Sequence, residues 1–249
     1  LKYIADGQGK FDAVDRGGVT LLSTASQEGD TTTVAALLEL GAQVERVDRV
    51  NRTPLMYAAR SKEPEVIAVL LDAGADIQAR DSLGNTPLSW ASGFGTGGVV
   101  QALVDAGADV NTVDNVLGYT PLLWASGFGE PQSIQILIEA GADVEIHDTA
   151  EGRTPLMHAV RTGDAEAVAL LVSSGANVNA LDNGKQTALH IGALSNNVKL
   201  EKIKTLIEGG ADPNAEDKNG ETPLDLAKAR TDDAGAAVAT YLAEQSKSE

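Results

Sequence analysis

The chain contains no cysteine in its 249 residues. Disulfides, thiolate nucleophiles and cysteine-ligated zinc are therefore excluded, whereas the compartment stays open, because cysteine-free chains are tolerated in reducing and oxidising settings alike. Histidine occurs only at His147, His158 and His190, and no His/carboxylate cluster has metal-ligand spacing. No serine has a nucleophile-elbow context. No apolar run approaches the roughly 18 residues of a membrane-spanning helix. Positive charge is scarce: 19 Lys and Arg stand against 36 Asp and Glu, for a net charge of −17. Nucleic-acid backbones are bound by Lys and Arg with release of counterions, so this balance disfavours them as partners. The chain also lacks an initiator methionine and begins at Leu1, which reads as an excised or processed fragment with no visible signal peptide.

What the chain does have is a period. Thr53-Pro54-Leu55 recurs at Thr86, Thr120, Thr154 and Thr222, with weaker copies at Thr20 and Thr187. The seven threonines are 33, 33, 34, 34, 33 and 35 residues apart. Gly-Ala follows each of the first six, at Gly41, Gly74, Gly107, Gly141, Gly175 and Gly210. An aspartate opens every unit: Asp15, Asp48, Asp81, Asp114, Asp148, Asp182 and Asp217. The threonine side chain can cap a helix N-terminus, and proline suits the first helical position because its missing N–H would be unpaired there. Leu88 and Ala91 then share one face of a short helix, and Val99, Val100, Leu103 and Val104 form the apolar stripe of a second. Gly107 ends it where the chain turns left-handed.

A turn plus two short helices every 33 residues or so, with T-P-L-x-x-A and G-A-D-V-N, closely resembles the ankyrin repeat. The resemblance covers residues 15 to about 243 and implies an all-α solenoid of about seven helix–turn–helix repeats with short β-turn fingers. On this reading the repeats lie near 15–47, 48–80, 81–113, 114–147, 148–180, 181–216 and 217–243. Residues 1–14 are a cap or the remnant of an upstream repeat, and 244–249 a tail. One extra residue lengthens the turns before Thr120 and Thr154, and two lengthen the loop near Asn196-Asn197. The family's use of histidine in T-x-L-H implies that His190 bonds neighbouring turns.

Two motifs mislead. Gly93, Gly95 and Gly98 spell G-x-G-x-x-G, but after a helix rather than a strand, with no Lys or Arg near in sequence to hold phosphate. Asn51-Arg52-Thr53 is a glycosylation sequon followed by proline. No cofactor or metal is implied, and His147 is expected to be exposed at a finger.

The family binds mostly through a concave surface of fingers and first helices. The fourth residue after each capping threonine is expected on that exposed side and reads Thr24, Tyr57, Trp90, Trp124, His158, Ile191, Leu226. The eighth reads Glu28, Ser61, Phe94, Phe128, Thr162, Ser195, Arg230. Both tryptophans and two of the three phenylalanines thus fall on one stripe, with Tyr57 and Tyr119 beside it. Packing between repeats would also place large residues there, but aromatics dominate interface hot spots. Between Arg80 and Arg153 there are ten acidic residues and no Lys or Arg. That field favours a neutral apolar or basic partner segment. Arg46, Arg49, Arg52, Arg60 and Lys62 form a basic edge in the second repeat for an acidic contact. The chain is therefore expected to be a monomeric, non-enzymatic protein-binding scaffold using Arg49, Arg52, Tyr57, Arg60, Trp90, Phe94, Tyr119, Trp124, Phe128 and His158. The alternatives are a small-molecule or peptide receptor using the same aromatic groove, which could hold a cation by cation–π contact, or the targeting arm of a longer enzyme.

Overall fold

The structure, a computed structural model, describes residues 13–162, 164–195 and 199–246. Most of the expected cap at 1–14, the Asn196-Asn197 insertion and the end of the tail lie outside the described residues. Helices come in consecutive pairs. The first helices are α1 (Leu21–Glu28), α3 (Pro54–Ala58), α5 (Pro87–Phe94), α7 (Pro121–Phe128), α9 (Pro155–Arg161), α11 (Ala188–Leu194) and α13 (Pro223–Lys228). The second are α2 (Thr31–Glu39), α4 (Glu65–Asp72), α6 (Gly97–Asp105), α8 (Pro131–Glu139), α10 (Ala165–Ser173), α12 (Leu200–Glu208) and α14 (Asp233–Gln245). First helices stack on first helices, second on second, and the members of each pair pack together, which makes a two-layered solenoid.

Almost every helix is shorter than the ~12–15 residues that are marginal in isolation, so packing and capping must hold them. The Oγ1 atoms of Thr20, Thr53, Thr86, Thr120, Thr154 and Thr222 each accept the backbone N–H three residues on, at 3.0 to 3.4 Å. At Thr187 the histidine of T-A-L-H takes part: Thr187 N–H donates to His190 Nδ1 at 3.1 Å, and His190 Nε2 lies 3.0 Å from the Glu221 carbonyl. A ring nitrogen that accepts a backbone N–H carries no proton, so Nε2–H is the donor to Glu221. His190 therefore ties its unit to the next finger, as the resemblance implied, and His147 is exposed.

The core repeats with the sequence. Leu22, Leu55, Leu88, Leu122, Leu156 and Leu189, two residues after the first six threonines, are almost fully buried. The small residues Ala58, Ala91, Ala125 and Ala159 let neighbouring first helices approach. Val99, Val100 and Leu103 are buried on α6, with Val104 half-buried at the stripe's edge. After the second helices, Gly41, Gly74, Gly107, Gly141, Gly175 and Gly210 take φ of 89 to 91°, a left-handed conformation that only glycine adopts cheaply. The fingers that follow are laced by single backbone bonds, including Ser82 N–H to Val50 O, Asn115 N–H to Leu83 O and Thr149 N–H to Leu117 O, at 2.8 to 2.9 Å. Among the described residues the only bridge of β type is an isolated one between Val14 and Thr20.

The glycine-rich string has a packing explanation. Gly95 and Gly129 end α5 and α7 in extended backbone. A methyl group added to Gly95 would stand 2.4 Å from the Ala59 carbonyl oxygen, and one on Gly129 would stand 2.2 Å from that of Ser92. Carbonyl oxygens crowd this turn, the wrong polarity for phosphate. Gly129→Ala is expected to force α7 away from α5 and cost about 1–3 kcal/mol, read as a lower urea midpoint; an unchanged midpoint would contradict the close approach.

Candidate partner-binding site

Each finger is built around its opening aspartate. One carboxylate oxygen of Asp48 accepts Val50 and Arg52 N–H at 2.9 Å, and one of Asp81 accepts Leu83 and Asn85 N–H at the same distance. Asp114 accepts three such bonds, from Val116, Leu117 and Gly118, and Asp148 accepts Glu151 and Gly152. In three of the four the second oxygen turns to the first helix. Asp48 Oδ2 accepts Tyr57 Oη–H and Arg52 Nε–H, both at 2.7 Å. Asp81 Oδ2 accepts Trp90 Nε1–H at 3.1 Å, and Asp148 Oδ2 lies 2.7 Å from His158 Nε2.

These bonds correct the expected exposure of the stripe. Tyr57 and His158 are buried because each turns back onto the aspartate of its own finger, and Tyr119, just before Thr120, is buried edge-on between Trp124 and His158. Trp90 and Trp124 are half-buried. The eighth place emerges instead: Phe94 and Phe128 are 48% and 54% exposed. Burial, together with the bond to Asp48, pushes the Tyr57 hydroxyl up to about 12. Burial pushes the His158 imidazole below its ordinary range. Arg161 faces its Nδ1 at 3.5 Å, which leaves Nε2–H to donate to Asp148.

The rings form one continuous set. Trp90 and Phe94 have centroids 5.5 Å apart, Phe94 and Trp124 5.8 Å, Trp124 and Phe128 5.7 Å. Tyr119 stands edge-on between Trp124 and His158, 5.1 Å from each. The stripe is not free of cations, as the sequence alone implied. Arg60, from the preceding unit, lies 5.4 Å over Trp90 and 5.9 Å over Phe94. Arg52 lies 4.9 Å over Tyr57. Of the basic edge, Arg52 is thus engaged within the chain, while Arg49 and Arg60 are exposed.

Between the third and fourth fingers the aromatic set walls a cavity of about 150 Å³. Trp90, Phe94 and Trp124 form one side; Leu83, Val116 and Leu117 come from the two fingers. Leu83 and Val116 are also more than half exposed, so the finger tips extend the apolar surface. A second cavity, of about 240 Å³, lies further along between Arg153, Arg161, Ile191 and Leu194. Sequence reasoning missed it, since these residues lie outside the aromatic stripe; the only signal was Arg153 standing at the place Arg52 holds in its own unit. Among the described residues no group of three or more His, Asp or Glu could hold a metal ion, and no helix is long and apolar enough to cross a membrane.

A family model described as ankyrin repeats (3 copies) matches three times, over residues 1–81, 78–148 and 122–217. The chain belongs to the ankyrin-repeat family. The crystal structure of the ankyrin repeat domain of Bcl-3, described as a unique member of the IkappaB protein family, is similar at 29% identity and a TM-score of 0.71, covering 90% of this chain and 99% of that one. The human ASB11 ankyrin repeat domain shares the fold at 23% identity and a TM-score of 0.80, covering 91% of this chain and 98% of that one. No curated protein matches. Ankyrin-repeat domains are generally protein–protein interaction modules and typically non-catalytic.

The Tyr57–Asp48 bond gives a pH test. A hydroxyl whose folded pKa is raised from 10.0 to about 12 contributes stability that is whole below pH 10 and is lost as pH rises through about 12. Tyr57→Phe is expected to cost about 1–3 kcal/mol at neutral pH and to flatten the decline of stability through that alkaline window. Parallel declines for the two proteins would contradict the pairing.

Proposed function

We propose that this chain is a non-enzymatic, monomeric scaffold that binds an apolar or basic segment of another protein across the face of fingers and first helices at the third and fourth units. The observation that carries the reading is the joined aromatic set, exposed at Phe94 and Phe128 and continued by Leu83 and Val116 on the fingers. Monomeric proteins rarely leave contiguous apolar surface of this kind without a binding role. Large rings offer contact area at small entropic cost, since each has only two rotatable bonds. Tyr119, with His158 behind it, serves this face as the buried support of Trp124; Trp90 is held by its bond to Asp81 and by Arg52, which also lies over the buried Tyr57. Arg49 and Arg60 supply the cationic edge for an acidic residue of the same partner.

The test is a comparison of captured partners. A Trp90→Ala/Trp124→Ala double variant, checked for helicity by circular dichroism, is expected to weaken binding of the partner the parent chain retains by at least about a hundredfold, in line with hot-spot truncations of 2 kcal/mol or more each. Phe94→Ala alone should cost about tenfold. A folded double variant that binds its partner as tightly as the parent would remove this face from the account.

A further inference from the structure

The third and fourth units present the same groups with one difference. In the second, third and fifth units the second oxygen of the opening aspartate is met from within the chain, by Arg52 and Tyr57, by Trp90, and by His158. In the fourth, Asp114 uses one oxygen for three finger N–H groups, and among the described residues no donor meets Oδ2. The place filled by Arg52 in the second unit is taken by Tyr119, whose ring stands against Trp124. Trp124 Nε1, the counterpart of the Trp90 donor, is buried with no partner. Asp114 is 8% exposed and lines the 150 Å³ cavity. Asn85, 5% exposed, lines it too, and its Oδ1 is likewise without a partner. Asp114 Oδ2 is thus an acceptor with no donor from within the chain at the wall of an apolar cavity, where a charged donor makes the strongest bond.

We propose that this cavity takes the side chain of an arginine from the bound partner, its guanidinium donating to Asp114 Oδ2 and Asn85 Oδ1 between Trp90, Phe94 and Trp124. This identifies a residue of the partner proposed above and rests on that reading. The chain itself shows what such surroundings hold: in the second unit a guanidinium, Arg52, donates to the opening carboxylate while lying over the fourth-place ring. Arginine fits better than lysine because its planar, weakly hydrated head stacks on aromatic faces and carries several donors that can reach two acceptors at once. No Lys or Arg between Arg80 and Arg153 competes for the carboxylate in sequence. Arg60, which reaches Trp90 and Phe94 from the second unit, makes no hydrogen bond or ion pair with it.

The probe is N-acetyl-arginine amide, titrated into the chain with tryptophan fluorescence and the indole N–H resonances as readouts; its citrulline and lysine analogues are the controls. The arginine probe should give a saturable change, and both controls should bind at least about tenfold more weakly. Asp114→Asn, which keeps the shape and the oxygen that holds the finger, should weaken the arginine probe about tenfold or more with the circular dichroism spectrum unchanged. Tyr119→Arg, which supplies a guanidinium from within, should abolish the probe's binding, and it serves as the second variant if Asp114→Asn does not fold. No saturable change, equal binding of either analogue, or unweakened binding to folded Asp114→Asn would overturn the proposal. The probe needs no partner, so the outcomes separate: a silent probe with capture still sensitive to the two tryptophans removes the arginine and keeps the face. A bound probe with capture insensitive to them removes the face and keeps the cavity's ligand.

Discussion

The structure depends on a carboxylate that works in two directions. Each opening aspartate gathers the N–H groups of its own finger on one oxygen, which fixes a turn that would otherwise have unpaired amides. In the second, third and fifth units the other oxygen reaches the helix that follows and orients the side chain four residues after the cap. Finger and first helix are thereby one rigid piece, and the lattice of finger-to-finger bonds passes that rigidity along the stack. Much of the chain's acidity belongs to this framework. Glu45 and Glu145 likewise accept backbone N–H groups of the next unit, from Asp76 and Asn177.

A solenoid assembled this way keeps its chemistry on the edge. The second helices supply apolar stripes to the core and the first helices use Leu and Ala for the same purpose, while the fourth and eighth places and the finger tips differ from unit to unit. In the third and fourth units that variation is aromatic. The cluster is backed by Tyr119 and His158 and flanked by Arg52 and Arg60, which turns a packing position into a shaped surface. The extended Gly95 and Gly129 let α5 and α7 close tightly beside it.

The period, the caps and the core were legible in the sequence, because Thr-Pro-Leu and Gly-Ala each answer a local backbone requirement within a few residues. So was the gathering of Trp90, Phe94, Trp124 and Phe128, which needs only the repeat spacing. Exposure was not. Whether Tyr57 or His158 faces solvent depends on a bond to the aspartate nine or ten residues back; the repeat fixes that spacing but not that the two side chains meet. The stacking of Arg60 over Trp90 crosses from one unit to the next, and the unmet oxygen of Asp114 follows from Tyr119 replacing a donor. Both are properties of contact rather than of spacing, and the same holds for the Arg153 and Arg161 cavity.

The central claim is that recognition lies on fingers and first helices at the third and fourth units. The most direct measurement is hydrogen–deuterium exchange of the chain alone and with its captured partner bound. Slowed exchange should appear in the finger segments around Leu83 and Val116 and in α5 and α7. Slowing confined to the second helices α4, α6 and α8, with those fingers unchanged, would contradict it.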